Sequence, residues 1–171
     1  IIENILKDIV KAENDWSVCC LRYFNPIGSH STGLIGDDPL SGKNTNLMPE
    51  IINAVKGFRN YLNIFGDDYE TSDGTGIRDY IHIMDLSEAH VTALDFLNKN
   101  IGIDFFNIGT GKGVSVFKLI KTFENVSGLK VPINITKRRQ GDCAICFANP
   151  KKANDILNWS SKYNLNQMCS S

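Results

Sequence analysis

Short apolar runs alternate along this chain with longer stretches of helical period, and no other feature limits its possible folds as strongly. Residues 17–23 (SVCCLRY) are short and largely apolar, as expected of a strand buried on both faces. Residues 62–65, 103–108 and 131–136 also read as short strands, and the alternating pattern of 77–83 suggests another. Helical periodicity fills the gaps. Ile1, Ile2, Ile5, Leu6, Ile9 and Val10 form one stripe, and residues 47–56 follow Asn46 as a cap, with Pro49 in the first turn and Gly57 past the end. Residues 85–98 open on Asp85 and Glu88, spaced as a capping box. Helices are also predicted over 115–126, over 151–157 and from Leu165 onward. The alternation predicts an α/β fold with parallel pairing. Two long loops rich in Gly and Asp, 25–45 and 66–76, interrupt it, and loops of that length in a compact domain commonly carry function.

Composition removes several functional classes. A chain of 171 residues that is 42% hydrophobic can build one real core. Its net charge of -1 provides no basic field to recruit nucleic acid or an anionic membrane, so an anionic ligand must meet locally placed cations. No apolar run approaches the roughly 20 residues that cross a bilayer, and a cytoplasmic protein is expected. Of the five cysteines, Cys19 and Cys20 fall within an expected strand. Cys143 and Cys146 form a C-x-x-C that lacks a second pair, because His30, His82 and His90 are scattered; inert thiols are favoured over metal or redox chemistry. The stripe that begins at the first residue, without a capping side chain, suggests a missing upstream segment over an ordinary terminus.

Two constellations could carry chemistry. Gly109-Thr110-Gly111-Lys112-Gly113 sits between a strand and a helix, where phosphates bind. Its spacing is not G-x-G-x-x-G and no ribose-holding carboxylate follows, so a tight structural turn is favoured over dinucleotide binding. Arg78 follows a glycine-rich loop, and Arg139 opens R-Q-G-D with Asp142. Guanidinium forks match phosphate oxygens and a carboxylate can accept from ribose hydroxyls, which would suit a nucleoside diphosphate. Surface ion pairing, such as Arg78 with Asp79, is the other reading.

RYFNPIGSH (22–30), TNLMP (45–49), LNIFGDDYETSDGTGIRDYIHIMDL (62–86), FFNIGTGKGVSV (105–116) and KRRQGD (137–142) together resemble, in order, UDP-glucose 4-epimerases of the extended short-chain dehydrogenase/reductase group. The resemblance implies the last part of an NAD-binding Rossmann-type parallel sheet plus a smaller α/β substrate-binding domain. The Rossmann elements would lie near 1–25 and 84–127, interleaved with the substrate part near 26–83 and 128–171. It implies a UDP-hexose substrate, NAD as cofactor, interconversion of UDP-glucose and UDP-galactose through a 4-keto sugar, and a homodimer. By the same resemblance Phe24 packs near the nicotinamide, while Asn25, Asn46 and Leu47 contact substrate. Asn63, Ile64 and Phe65 form the strand that receives uracil through its backbone. Arg78 and Arg139 bind the phosphates, Tyr80 neighbours them, and Asp142 contacts the ribose. Cys146 stands at a pocket wall where a small residue resembles members that also take N-acetylated sugars.

The family's glycine-rich NAD turn and its Tyr-x-x-x-Lys do not occur: Tyr23, Tyr61, Tyr69, Tyr80 and Tyr163 are followed four residues on by Ile27, Phe65, Asp73, Met84 and Gln167. No catalytic residue is therefore assigned, and the chain alone is expected to be inactive and prone to self-association. Another NAD-dependent nucleotide-sugar dehydratase or decarboxylase fits the TSDGTG loop less well. A non-catalytic nucleotide-sugar-binding module is the remaining alternative.

Overall fold

A computed structural model describes residues 1–36 and 46–171. The chain runs through α1 (Ile2–Ala12), β1 (Ser17–Tyr23), β2 (Asn25–Ile27), α2 (Leu47–Val55), β3 (Leu62–Phe65), β4 (Ile77–His82), α3 (Ile83–Leu97) and β5 (Gly102–Ile108). It continues through β6 (Gly113–Ser115), α4 (Val116–Ser127), β7 (Ile133–Thr136), β8 (Ile145–Cys146), α5 (Lys151–Leu157) and α6 (Leu165–Ser170). Parallel pairing dominates, as the alternation of strands and helices requires. β1 pairs with β5 from Ser17 opposite Gly102 to Tyr23 opposite Ile108, β2 with β4, β3 with β7, and β8 with β4. The β4–β6 pair is antiparallel, an exception to the expectation. β6 leads directly into α4, whose cap Ser115 accepts from Lys118 N at 3.2 Å.

β4 lies between two apolar clusters because its side chains alternate. Tyr80 joins Ile27, Met48, Ile51, Ile64, Leu119 and Phe123. Ile81 joins Leu86, Phe106, Ile108, Leu157 and Trp159 on the other side. The polar residue between Arg78 and Tyr80 follows the same alternation: Asp79 is fully buried, and its carboxylate accepts from Thr110 N at 3.0 Å, Thr110 Oγ1 at 2.5 Å, Gly111 N at 2.9 Å and Ala148 N at 3.1 Å. The surface ion pair with Asp79, the alternative reading of Arg78, is accordingly not formed, because the carboxylate is committed to Thr110, Gly111 and Ala148.

Several local expectations change. The loop expected over 25–45 opens with β2, and its residues 37–45, including Thr45, lie outside the described residues. β2, β6 and β8, of three, three and two residues, are too short to show a period. Asp85 and Glu88 do not cap α3. That helix begins two residues earlier, at Ile83, and its cap is His82, whose Nδ1 accepts from Met84 N at 3.0 Å. Asp85 is instead buried, accepting from Lys162 N at 3.0 Å and Tyr163 N at 3.1 Å, while Glu88 meets Lys162 Nζ at 2.5 Å. Asn46 is the N-cap of α2 by position, without a capping bond from its side chain. In α1 no residue is buried: Ile1, Ile2 and Ile5 remain exposed, and Glu3 anchors the helix through Arg22 Nε at 2.6 Å. Among the described residues no helix is long and apolar enough to cross a membrane.

Candidate functional site

β3 is an edge strand, and that fact locates the site. Leu62 N donates to Pro132 O at 2.7 Å and Gly66 N to Thr136 O at 2.9 Å, so the even-numbered peptide groups face β7. In a parallel ladder the intervening residues face the other way, which leaves the backbone of Asn63 and Phe65 on the opposite edge. Among the described residues no strand pairs with that edge.

The chain leaves β3 and β7 at their C-terminal ends, where open α/β sheets bind ligands. After β3, Gly66 has φ +88, and a Cβ there would fall 2.6 Å from Arg138 Cγ and 2.8 Å from Tyr69 Cε2. Only glycine allows the loop to turn this tightly against the next segment. The loop is then fixed from within. Asp73 accepts from Thr75 N at 3.0 Å, Thr75 Oγ1 at 2.7 Å and Ser115 Oγ at 2.5 Å, and Thr71 Oγ1 donates to Thr75 O at 2.7 Å. Burial opposes ionisation of Asp73, but the bonds from Ser115 and Thr75 outweigh it and hold the carboxyl below its ordinary range. After β7, Arg138 reaches back across the loop, with Nε 2.7 Å from Asp68 Oδ1 and its guanidinium 4.1 Å from the Tyr69 ring centre.

A cavity of about 180 Å³ opens where these pieces meet. It gathers nine of the eleven substrate-site candidates: Asn25, Asn46, Leu47, Ile64, Phe65, Arg78, Tyr80, Arg139 and Asp142. Asn25 and Tyr80 are partners in the β2–β4 register, so one side of the wall is set by strand pairing. Arg139 is preorganised from two directions: its Nε lies 3.0 Å from Asp142 Oδ2, and its guanidinium sits 4.7 Å from the Phe65 ring centre. Arg78 Nη1 donates to Ile77 O at 2.9 Å, and among the described residues no carboxylate pairs with it. Burial pushes the Tyr80 hydroxyl up to about 12, against a downward pull from Arg78. That group stays protonated at neutral pH, suited to donating a hydrogen bond and not to removing a proton. A larger, more open hollow of about 530 Å³ on the outer side of the loop, lined by Asp67, Asp68, Ile135 and Lys137 among others, contains none of the candidates; the smaller cavity is the better site.

Three candidates lie off the cavity wall. The Asn63 side chain faces outward and accepts from Asn134 Nδ2 at 3.0 Å. Cys146 is exposed on β8, in register with Arg78. Phe24 is half-buried beyond β1, its N donating to Ile108 O at 3.0 Å. Conversely Glu50, Gly66, Tyr69, Gly76 and Val116 line the cavity without having been singled out from sequence. Glu50 stands one helical turn after Asn46 and so shares its face, a signal the spacing did contain. Nothing in the periodicity of residues 66–76 could have marked Tyr69.

The Gly109–Gly113 segment makes no anion site. The N–H groups of Thr110 and Gly111 that a phosphate would need donate to Asp79, and a Cβ on Gly109 would fall 2.7 Å from Asp79 Oδ2. It is a structural turn folded around a carboxylate.

The sequence matches the family described as NAD dependent epimerase/dehydratase over residues 1–109. It is 50% identical to the UDP-glucose 4-epimerase of Bacillus subtilis (strain 168) over 168 residues, which cover 98% of this chain and 49% of that protein. The Homo sapiens UDP-glucose 4-epimerase is 45% identical, with 98% and 48% covered. Among solved structures, the UDP-glucose-4-epimerase from Stenotrophomonas maltophila with bound NAD and formylated UDP-arabinopyranose superposes with a TM-score of 0.93 at 44% identity, over 98% of this chain and 50% of that one. The Bifidobacterium longum UDP-glucose 4-epimerase in complex with NAD+ and UDP gives 0.93 at 41% identity, over 99% and 50%. The chain spans about half the length of the relatives it matches.

Proposed function

Because the chain belongs to the NAD dependent epimerase/dehydratase family, we propose that it forms the UDP-sugar-binding half of a UDP-glucose 4-epimerase that interconverts UDP-glucose and UDP-galactose. The observation that carries this reading is the convergence of Arg78 and Arg139 with Asn25, Asn46, Tyr80 and Asp142 around one cavity beside an unpaired strand edge. Uracil offers a donor flanked by acceptors, a pattern that the outward peptide groups of Asn63 and Phe65 can answer. The two guanidinium groups suit the pyrophosphate, Asp142 the ribose hydroxyls, and Asn25 with Tyr80 the sugar beyond.

Such a division of contacts has a mechanistic purpose. Epimerisation at the 4-position needs the same ligand held firmly while its hexose presents first one face and then the other. Charge-assisted contacts concentrated on the nucleotide put binding energy on the part that never reacts, so the hexose can turn without being lost. NAD, when bound, supplies oxidation and re-reduction at that position. Within these 171 residues Phe24 alone is assigned to it, since the glycine turn is committed to Asp79. With neither a Tyr-x-x-x-Lys nor a dinucleotide turn in the sequence, this chain alone would bind UDP-sugar without epimerising it. A homodimeric, cytoplasmic enzyme, with Rossmann elements near 1–25 and 84–127 and substrate elements near 26–83 and 128–171, completes the reading.

Calorimetric titration of the chain with UDP and with uridine tests it. UDP should bind far more tightly than uridine, and substitution of either arginine should erase most of the difference. Equal affinity for the two ligands, or indifference to both substitutions, would sink the proposal.

A further inference from the structure

Two adjacent arginines follow β7 and do different things. Arg139 lines the cavity, whereas Arg138 turns back onto the loop after β3. The last rung between those two segments is Gly66 N donating to Thr136 O at 2.9 Å. Beyond it, among the described residues, the backbone of Lys137 and Arg138 makes no hydrogen bond. The course of the chain into Arg139 is therefore set by side chains, and the Arg138 side chain spans the gap. Its Nε donates to Asp68 Oδ1 at 2.7 Å, its Nη2 donates to Asp68 O, and its guanidinium lies 4.1 Å from the Tyr69 ring centre. That platform is fixed. Tyr69 is buried, its N donates to Gly74 O at 2.9 Å, and its O accepts from Thr71 N at 2.7 Å. As a source of stability the bridge counts for little, because the Arg138 and Asp68 side chains are 45% and 70% exposed. What a planar fork with three contacts does supply is direction. We propose that Arg138 is a positioning residue: anchored on Asp68 and Tyr69, it holds the segment after β7 so that Arg139, the next residue, presents its guanidinium to a bound pyrophosphate.

The inference rests on the nucleoside-diphosphate reading of the cavity. Asp142 and Phe65 orient the Arg139 head group, while Arg138 fixes the backbone from which that side chain springs. Preorganisation of this kind lowers the ordering cost of binding without adding a contact to the ligand.

Arg138→Lys in the 171-residue chain keeps the charge but loses the fork and the flat face. Titrations with UDP and with uridine, together with ligand-free thermal melting, read the outcome. We expect UDP affinity to fall by about 3- to 10-fold, while uridine affinity and melting temperature hold. Adding Arg138→Lys to Arg139→Ala should bring no further loss, since a residue that acts through Arg139 has nothing left to position once that guanidinium is gone. Unchanged UDP affinity overturns the proposal, as does an equal loss for uridine or additive losses in the double variant. A much lower melting temperature also overturns it, because Arg138 would then serve the fold. If Arg139→Ala weakens UDP while Arg138→Lys does not, this inference alone falls. If the unsubstituted chain binds UDP no better than uridine, the reading of the cavity falls with it.

Discussion

Asp79 Oδ1 receives two bonds from Thr110, 3.0 Å from its backbone N and 2.5 Å from its hydroxyl, and so joins the strand that carries Arg78 and Tyr80 to the turn after β5. With Gly111 N and Ala148 N also donating, this carboxylate satisfies three backbone N–H groups. Asp79→Ala would orphan all three in a buried setting, at about 1–3 kcal/mol each. We expect a loss of at least about 3 kcal/mol in urea unfolding. Asp79→Asn should recover only part of it, since an amide nitrogen cannot accept. A loss below about 1 kcal/mol for the alanine variant would contradict the account.

Gly109→Ala tests the same turn from the other side. Its methyl would fall 2.6 Å from Ala148 Cβ and 2.7 Å from Asp79 Oδ2, closer than atoms pack. The expected cost is about 1–3 kcal/mol by overpacking, visible as a lower denaturation midpoint. Unchanged stability would mean that the Asp79 clasp gives way easily.

The two arginines should not respond alike. Arg139 is aimed by Asp142 and Phe65, whereas Arg78 has no carboxylate partner among the described residues. Asp142→Asn should therefore weaken UDP binding through loss of orientation as well as of the ribose contact proposed for it, by about tenfold. Arg78→Ala should cost about 10- to 100-fold by direct loss of charge-assisted bonds. Added salt should reduce affinity in the unsubstituted chain more than in Arg78→Ala; equal salt dependence would rule out a phosphate role for Arg78.

Acid stability has a marker in His82. Burial lowers its pKa from an ordinary 6.5, against a weaker upward pull from Asp85, and its ring stacks on Tyr163 at 3.9 Å. The neutral ring caps α3 by accepting from Met84 N. Unfolded imidazole titrates at its ordinary value, so below about pH 6.5 the unfolded chain holds more protons. Stability from this group is complete above that value and declines as pH falls through the depressed folded pKa. The urea midpoint should drop between about pH 7 and pH 5, and less so in His82→Asn, which can still cap. Parallel pH profiles for the two would argue against His82 as the source.

The exposed stripe of α1 makes a fifth test. Ile2→Glu with Ile5→Glu should leave the melting temperature nearly unchanged, because those residues are 74% and 52% exposed. Self-association measured by sedimentation should decrease, since the apolar patch is broken. A large drop in melting temperature would mean that the helix packs more tightly than these exposures indicate.

Most of the framework was legible in the sequence because it rests on periodicity. β1, β3 and α5 appear at the residues expected, and the other major elements within two or three positions. Signals that depend on distant residues were not legible. Asp85 and Glu88 have capping-box spacing, yet they face Lys162 and Tyr163, which only the fold brings near. The spacing of the glycine turn already favoured a structural role, but its partner Asp79, about thirty residues earlier, was not legible. Recognition of motifs gathered most of the cavity, but Tyr69 entered it through loop geometry that no spacing encodes, and the unpaired edge of β3 became visible only from the register with β7.

The cavity is assembled from both ends of the chain's middle: Arg78 stands on β4, while Arg139 comes after β7. During synthesis the first guanidinium is in place well before the second leaves the ribosome, so under the proposed function a nascent chain would have only half of the phosphate clamp. Nucleotide would then have little affinity for partly made protein and would select finished molecules, protecting those in the cell from proteolysis by mass action.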